Sequence, residues 1–596
     1  MALRRSAACE KPSLWTRLLP RPCRLIWAAI PLIALAGPGV AAPLVGASAD
    51  LARLPPKAQA EELVRLAENG VSTVRLPLDW DRVEPRPNQF AWKADDALVN
   101  AALARKLDVT LVLGPCASWA VHPAWDVPPQ ERRHSVPRSL DLWERYVRQA
   151  ALHFRGRVRS WQIREHPNAR NFRGARAEYL RLLVSAARVL RAADPQATVI
   201  VPEAGALDVA GFDDLCQGEA RGSCDVLGLY LPASDPAGAA LAWAVLRHEV
   251  IGQGPPPARP LWVLGADGVI SADLWVQHYL LAAAFRADRF YLPAEAIARF
   301  WVAHLSDLRY LGFLRLGPEI WALVFEGDQG PVVAAWSSRE VGVPASDLAP
   351  VRDPEALGRS AELGGAPGAI IAAGEGKTTI RLGPRPALLY GLDVDGLIRL
   401  GAPTRADVLA ARPAPDPSFL PLVYADYSMP QYPELGLYNR PLRGLPGGQV
   451  QEVSRIGRPA LQAHVLASGG EMDIGSPYVY FDLDDRWLYF ARGKTRVAIT
   501  VECEGSFMGP QQHGFNIMYD STTGYRFTPW QWIDTGYVWH RYRVELDDVS
   551  FAGRGGFDFR INIQGSKQDI WIAAVTLEKL PGPAASVSGP ESQDPP

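Results

Sequence analysis

At 596 residues, with 48% apolar and 21% charged side chains, the chain is too long for one ordinary core and too apolar for a disordered one. Roughly two to four folded domains are expected. Its 62 Lys and Arg against 64 Asp and Glu leave a formal net charge of −2, and no Lys/Arg run is interleaved with aromatics, so nucleic acid is excluded as an expected partner.

The N-terminus reads as an export signal over residues 1–42. Arg4, Arg5, Arg17, Arg21 and Arg24 precede the apolar run Leu25 to Ala36, and Val40-Ala41-Ala42 supplies small residues for cleavage. The run is too short for a comfortable membrane span. A cleaved signal would leave an exported, periplasmic, cell-surface or secreted chain with no stable span; an uncleaved anchor is the alternative.

From residue 43 to about 311, short apolar strands alternate with amphipathic helices, the pattern of a parallel α/β architecture. Eight strands are predicted, at Leu44–Ser48, Thr73–Leu78, Val109–Gly114, Val158–Ile163, Thr198–Pro202, Val226–Leu231, Leu261–Leu264 and Asp288–Leu292. The clearest intervening helices are Ala58–Glu68, Asp95–Lys106, Leu140–His153, Ala175–Ala192 and Ala272–Phe285. That number of strands in this length suits a TIM (β/α)8 barrel. A doubly wound sheet is the runner-up, but it lacks its Gly-rich first turn. Residues 312–410 are helix-poor and read as a small β-domain, 411–419 as a Pro/Ala-rich linker, 420–580 as a jelly-roll β-sandwich of alternating strands, and 581–596 as a disordered tail.

Cys216 and Cys224 flank a short polar loop. In an oxidising compartment a disulfide is expected there, with two buried free thiols as the alternative. No Cys/His spacing resembles a zinc site and no cofactor is expected. A structural calcium at the sandwich edge could use Asp482, Asp484 or Asp485.

The segment Trp161-Gln162-Ile163-Arg164-Glu165-His166-Pro167-Asn168 resembles the fourth-strand end of clan A glycoside hydrolases, Trp-Glu-hydrophobic-Trp-Asn-Glu-Pro-Asn. In that family the Glu before Pro is the general acid/base and the preceding Asn binds sugar. Here His166 and Glu165 stand at those two positions. Arg75-Leu76-Pro77-Leu78-Asp79-Trp80, followed by Glu84-Pro85, is similar to the family's second-strand element, in which the Arg lies under the nucleophile. Trp119 follows strand three, where the family often lines its pocket, and the helix and turn leading to strand five are similar to the family-39-like branch. Strand seven, Pro260-Leu261-Trp262-Val263-Leu264-Gly265-Ala266-Asp267-Gly268, stands where the family has Trp-x-Thr-Glu-x-Gly. Gly265, or Ala266 in a slipped frame, then falls at the nucleophile. Strand six ends Leu229-Tyr230-Leu231-Pro232, where clan A often places His-x-Tyr.

The resemblance therefore implies a glycosidase-type barrel with both catalytic carboxylate positions substituted. A retaining glycosidase needs two carboxyls about 5–5.5 Å apart, and an inverting pair about 6.5–9.5 Å. The leading expectation is a polysaccharide- or oligosaccharide-binding protein that has lost the pair, a pseudoenzyme. The alternative is an active hydrolase or lyase using relocated groups, with Glu165, His166 and Asp267 as the catalytic candidates. Candidate sugar contacts are Arg75, Asp79, Trp80, Trp119, Asn168, Glu203, Tyr230 and Trp262 in the barrel. In the sandwich, a carbohydrate-binding-like module, Trp530 and Trp532 either stack on sugar or pack the fold.

Overall fold

The computed structural model describes residues 40–41, 43–121, 129–165, 172–174, 176–206, 209–217, 219–232, 236–252, 259–267, 269–293, 305, 308–317, 320–328, 330–362, 371–374, 377–410, 418, 420–427, 434–439, 450–464, 477–505, 513–534 and 538–581. The expected signal lies outside them except for Val40–Ala41, as do His166, Asn168 and all but the first residue of the expected tail. Only Ser418 of the linker is inside. Val40–Ala41 is an edge strand on Arg309–Tyr310, so two residues assigned to a removable segment belong to a sheet. Among the described residues no helix is long and apolar enough to cross a membrane.

Eight parallel strands close into a barrel: β1 Leu44–Ser48, β2 Thr73–Leu78, β3 Asp108–Leu113, β4 Ser160–Ile163, β5 Thr198–Ala206, β6 Val226–Pro232, β7 Leu261–Asp267 and β8 Arg289–Pro293. The ring shuts where β1 pairs with β8, from Leu44↔Arg289 to Ser48↔Pro293. The intervening helices form for recognisable reasons. Leu140–Phe154 starts with the Ser139 side chain accepting from the Asp141 amide, an N-cap. It buries Trp143, Tyr146, Val147, Ala150, Ala151 and Phe154, one face at helical spacing.

Alternation along the strands fills the barrel in layers. At the bottom, Arg289 lies 4.2 Å over the Trp262 ring. Above it, the Tyr291 hydroxyl shares hydrogen bonds with Thr73 Oγ1 at 3.1 Å and Thr110 Oγ1 at 2.9 Å. The Tyr291 ring crosses the barrel because position 46 is glycine; a Cβ there would lie 2.5 Å from Tyr291 Cδ1. One period higher come Arg75, Gln162 and Tyr230, the polar floor of the mouth.

Two strands outrun their predicted ends. β7 continues through Gly265-Ala266-Asp267 because a bulge at Leu264, opposite Leu229 and Tyr230, lets it pair with β6 as Tyr230↔Gly265, Leu231↔Ala266 and Pro232↔Asp267. Gly265 takes φ +152°, rarely open to an L side chain. A turn-like sequence is thus carried as strand to the mouth. β5 likewise reaches Ala206.

The small β-region begins at Arg309 rather than 312. Strands β9 Arg309–Arg315, β10 Trp321–Gly327 and β11 Gly330–Trp336 form an antiparallel meander within a larger sheet, with the cross-strand pair Trp321 and Trp336 stacked at 5.7 Å. Beyond residue 420, two antiparallel sheets enclose one apolar core, with Val423, Ile499 and Ile572 from one and Phe481, Ile517 and Ile561 from the other. Arg492 in this part pairs with Asp213 of the barrel helix Val209–Gln217, and Arg405 lies over the Tyr489 ring.

The expected Cys216–Cys224 disulfide is not formed. The Cys224 thiol points at the Val226 carbonyl, 3.2 Å away, while Cys216 accepts from Arg259 Nη1 at 3.5 Å. Burial pushes Cys224 up to about 12 and also raises Cys216, so neither favours the thiolate that disulfide chemistry needs. A non-reducing peptide map is expected to recover both as separate thiols, with Cys216 alkylated ahead of Cys224; a cross-linked peptide would contradict this.

Candidate functional site at the barrel mouth

The C-terminal ends of the strands surround an open cleft of about 490 Å³, the place where (β/α)8 barrels hold their sites. Arg75, on β2, is its organising group. Its side chain is only 6% exposed, and Nη1 donates to both Glu165 oxygens at 2.8 Å and to Gln162 Oε1 at 3.2 Å. Nη2 donates to Ser48 Oγ at 2.6 Å. The Tyr230 hydroxyl donates to Glu165 Oε1 at 2.5 Å. Burial works against the Arg75 charge, but Glu165 and Tyr230 outweigh it and raise its pKa. Gln162 is held in turn, its amide nitrogen donating to the Arg164 carbonyl at 2.8 Å. β2 through Arg75 and β6 through Tyr230 thus converge on one carboxylate at the floor of the mouth.

Glu165 follows Arg164, which is held at φ +68°, an uncommon conformation for a residue with a side chain. The Arg164 guanidinium is buried 5.2 Å over the Phe172 ring and runs across Gly114, where an added Cβ would come within 3.1 Å of Arg164 Cδ. Burial lowers the Arg164 pKa and the nearby Arg133 charge adds to that. Arg133 donates to Asp79 Oδ2 at 2.9 Å. On the rim after β1, Arg53 pairs with Asp50 at 2.5 Å.

The predicted contacts divide. Arg75, Tyr230 and Glu165 meet directly, and Asp79 stands behind the wall as the partner of Arg133. Trp80 is corrected: it is fully buried, stacked 4.8 Å from Tyr146 with Nε1 donating to Glu84, and has no face for sugar. Trp119 packs edge-on against Trp80 and donates to the Glu84 carbonyl, outside the cleft lining. Glu84 holds this loop through Trp80, Asn88 and Arg145. Trp262 is also corrected, lying in the barrel interior beneath Tyr291 with Arg289 on its ring. Both tryptophans sit in strand-end motifs but on core-facing positions. Glu203 lies on β5 and Asp267 ends β7, with side chains outside the described set.

In the sandwich, Trp530 is packed over Gly514 and Gly565, whereas Trp532, 5.9 Å away, is 45% exposed. Only the second offers an open face. Of the calcium candidates, Asp484 has both oxygens taken by Arg486, at 2.8 and 2.6 Å. Among the described residues no group of three or more His, Cys, Asp or Glu is arranged to hold a metal ion.

Sequence reasoning passed over Ser48, Asp50, Arg53, Arg133, His134 and Arg164, all of which line the cleft. A usable signal existed for some of them. Asp50 and Arg53 immediately follow β1, and Arg164 is the neighbour of Glu165.

No protein-family model matches the chain. Among solved structures it is similar to a family 39 glycoside hydrolase from Bacteroides cellulosilyticus, at 15% identity over 59% of this chain and 81% of that one, TM-score 0.46. It is similar to a family 30 endoxylanase from Clostridium papyrosolvens, at 12% identity over 60% and 98%, TM-score 0.41. A family 39 β-xylosidase from Caulobacter crescentus follows at 18% identity over 51% and 78%, TM-score 0.36. The barrel assignment rests on the closed ring of eight parallel strands, whose fold class is a TIM (β/α)8 barrel with further β-sheet regions C-terminal to it.

Proposed function

We propose that the chain is an exported, polysaccharide-associated protein whose barrel cleft binds a glycan without the paired carboxylates of a retaining glycosidase. The observation that carries this reading is the commitment of Glu165, whose two oxygens are both engaged by Arg75 and one also by Tyr230. A general acid must present its proton to the leaving group, and these donors occupy the carboxylate instead. The other described carboxylate lining the cleft, Asp50, is paired with Arg53 on the rim. The open face of Trp532 supports a second sugar contact on the sandwich.

One observation favours the enzyme reading. Asp267 ends the strand beside β6, in register with Pro232 and two positions beyond Tyr230, so its backbone borders the Glu165 constellation. The binder predicts retention of oligosaccharides on a glycan array and no turnover across an aryl-glycoside panel. Turnover abolished by both Glu165→Gln and Asp267→Asn would overturn it in favour of a hydrolase using relocated carboxylates.

A further inference from the structure

One sheet of the sandwich carries an outer face of unusual composition. Strands β12 Tyr478–Leu483, β13 Gly514–Ser521, β14 Gly524–Phe527, β15 Gln531–Trp532 and β16 Phe559–Asn562 lie in this antiparallel sheet. Val479, Phe481, Phe515, Ile517, Phe559 and Ile561 enter the apolar core, so the residues alternating with them point the other way. Register aligns Tyr478, Asn562 and Asn516 in one cross-strand row, and Tyr480, Arg560, Met518 and Phe527 in the next. Trp532 stands opposite Gly514 on the same side, two residues along β13 from Asn516.

The solvent side of an antiparallel sheet is ordinarily polar. This one has aromatic rings at both flanks, with amides and a guanidinium between them. The polar groups are fixed in advance. Arg560 lies 4.1 Å over the Tyr478 ring and donates to the Tyr480 hydroxyl at 3.2 Å. Asn562 accepts from the Gln564 amide at 2.9 Å and donates to Asn516 Oδ1 at 2.8 Å. That leaves the Asn516 amide nitrogen without an acceptor among the described residues. Tyr480 and Met518 pack with Phe557, on which Tyr525 stacks at 4.9 Å. Beside these held groups, Trp532 and Phe527 are 45% and 55% exposed.

A protein partner is met by an apolar centre inside a polar rim, and here that order is reversed. Sugars present apolar C–H faces together with hydroxyls, which aromatic rings and planar amides answer. We propose that this sheet face is a second glycan site, holding a polysaccharide segment across the strands. Trp532 and Phe527 stack on its sugar rings, while Asn516 and Arg560 hydrogen-bond its hydroxyls. From β12 to β14 the face spans about 14 Å, three interstrand spacings, room for a short stretch of chain. The ligand class rests on the reading of the protein as polysaccharide-associated, but the site uses none of the residues of the barrel cleft.

The test is affinity electrophoresis of the full chain through native gels containing arabinoxylan, galactomannan, mixed-linkage β-glucan or polygalacturonate. At least one should retard it. The double variant Trp532→Ala/Phe527→Ser should raise the dissociation constant for that polysaccharide by about tenfold, the loss of two aromatic contacts. Both side chains are exposed, so the unfolding midpoint should stay unchanged. Asn516→Asp keeps the acceptor for Asn562 and removes the donor, and should weaken binding by several-fold. Retardation indifferent to these substitutions overturns the sheet-face site and leaves the glycan reading of the cleft standing. Retardation by none of the four polysaccharides overturns both.

Discussion

Replacing Glu165 with glutamine should destabilise the barrel by about 3 kcal/mol, and replacing Arg75 with methionine should cost less, although each breaks the same pair. The two partners differ in exposure. Arg75 is buried beneath the mouth, whereas the Glu165 side chain is 47% exposed. Removing the carboxylate strands a guanidinium inside the barrel, the situation in which breaking an ion pair costs about 3–5 kcal/mol. Removing the guanidinium leaves a carboxylate that water can reach and that Tyr230 still serves. The double variant Arg75→Met/Glu165→Gln should recover much of the loss because no buried charge is left unpaired. Gln162 and Ser48 would still lack their donor, at a residual cost of about 1 kcal/mol. Denaturation midpoints of the four proteins provide the check. Equal losses in the two single variants, with additivity in the double, would mean that the pair is not the coupled, buried unit described here.

The parts of this structure that sequence exposes well are those governed by periodicity. Short apolar runs alternating with helices such as Leu140–Phe154 mark the barrel because every turn repeats the same burial demand. The β7 extension was hidden, since Gly265-Ala266-Asp267 looks like a turn and becomes strand only through a bulge at Leu264 that shifts its register against β6. That information belongs to the pairing of two distant segments. The site was legible in half. Arg75, Glu165 and Tyr230 were visible at strand ends, but the motif that pointed to them also carried Trp80 and Trp262, whose orientation follows from packing. Arg53 and Arg133 come from loops without periodicity, so only the folded mouth brings them together.

A second large effect lies beneath the mouth and depends on pH. His278, on the helix Ala272–Ala284, is fully buried, and neither ring nitrogen completes a hydrogen bond among the described residues. Burial lowers its pKa to about 4, with the Pro232 backbone opposing only weakly. In the unfolded chain a histidine titrates near 6.5. Between those values the unfolded state binds the proton and the folded state does not, so stability falls as the pH drops. The contribution is fully present above about pH 6.5 and is lost progressively toward pH 4, amounting to about 3 kcal/mol at the end of the window. Asp558 contributes with the opposite sign. Burial and neighbouring carboxylates raise the folded-state pKa of Asp558, which favours the folded state as the pH falls. The histidine term is therefore read as a difference between proteins. His278→Leu, which also removes two unsatisfied nitrogens, should flatten the wild-type loss of stability between pH 7 and pH 4.5 by about 2–3 kcal/mol. Parallel pH profiles for the two proteins would show that His278 is hydrated or protonated in the native barrel, and would remove burial as the cause of its behaviour.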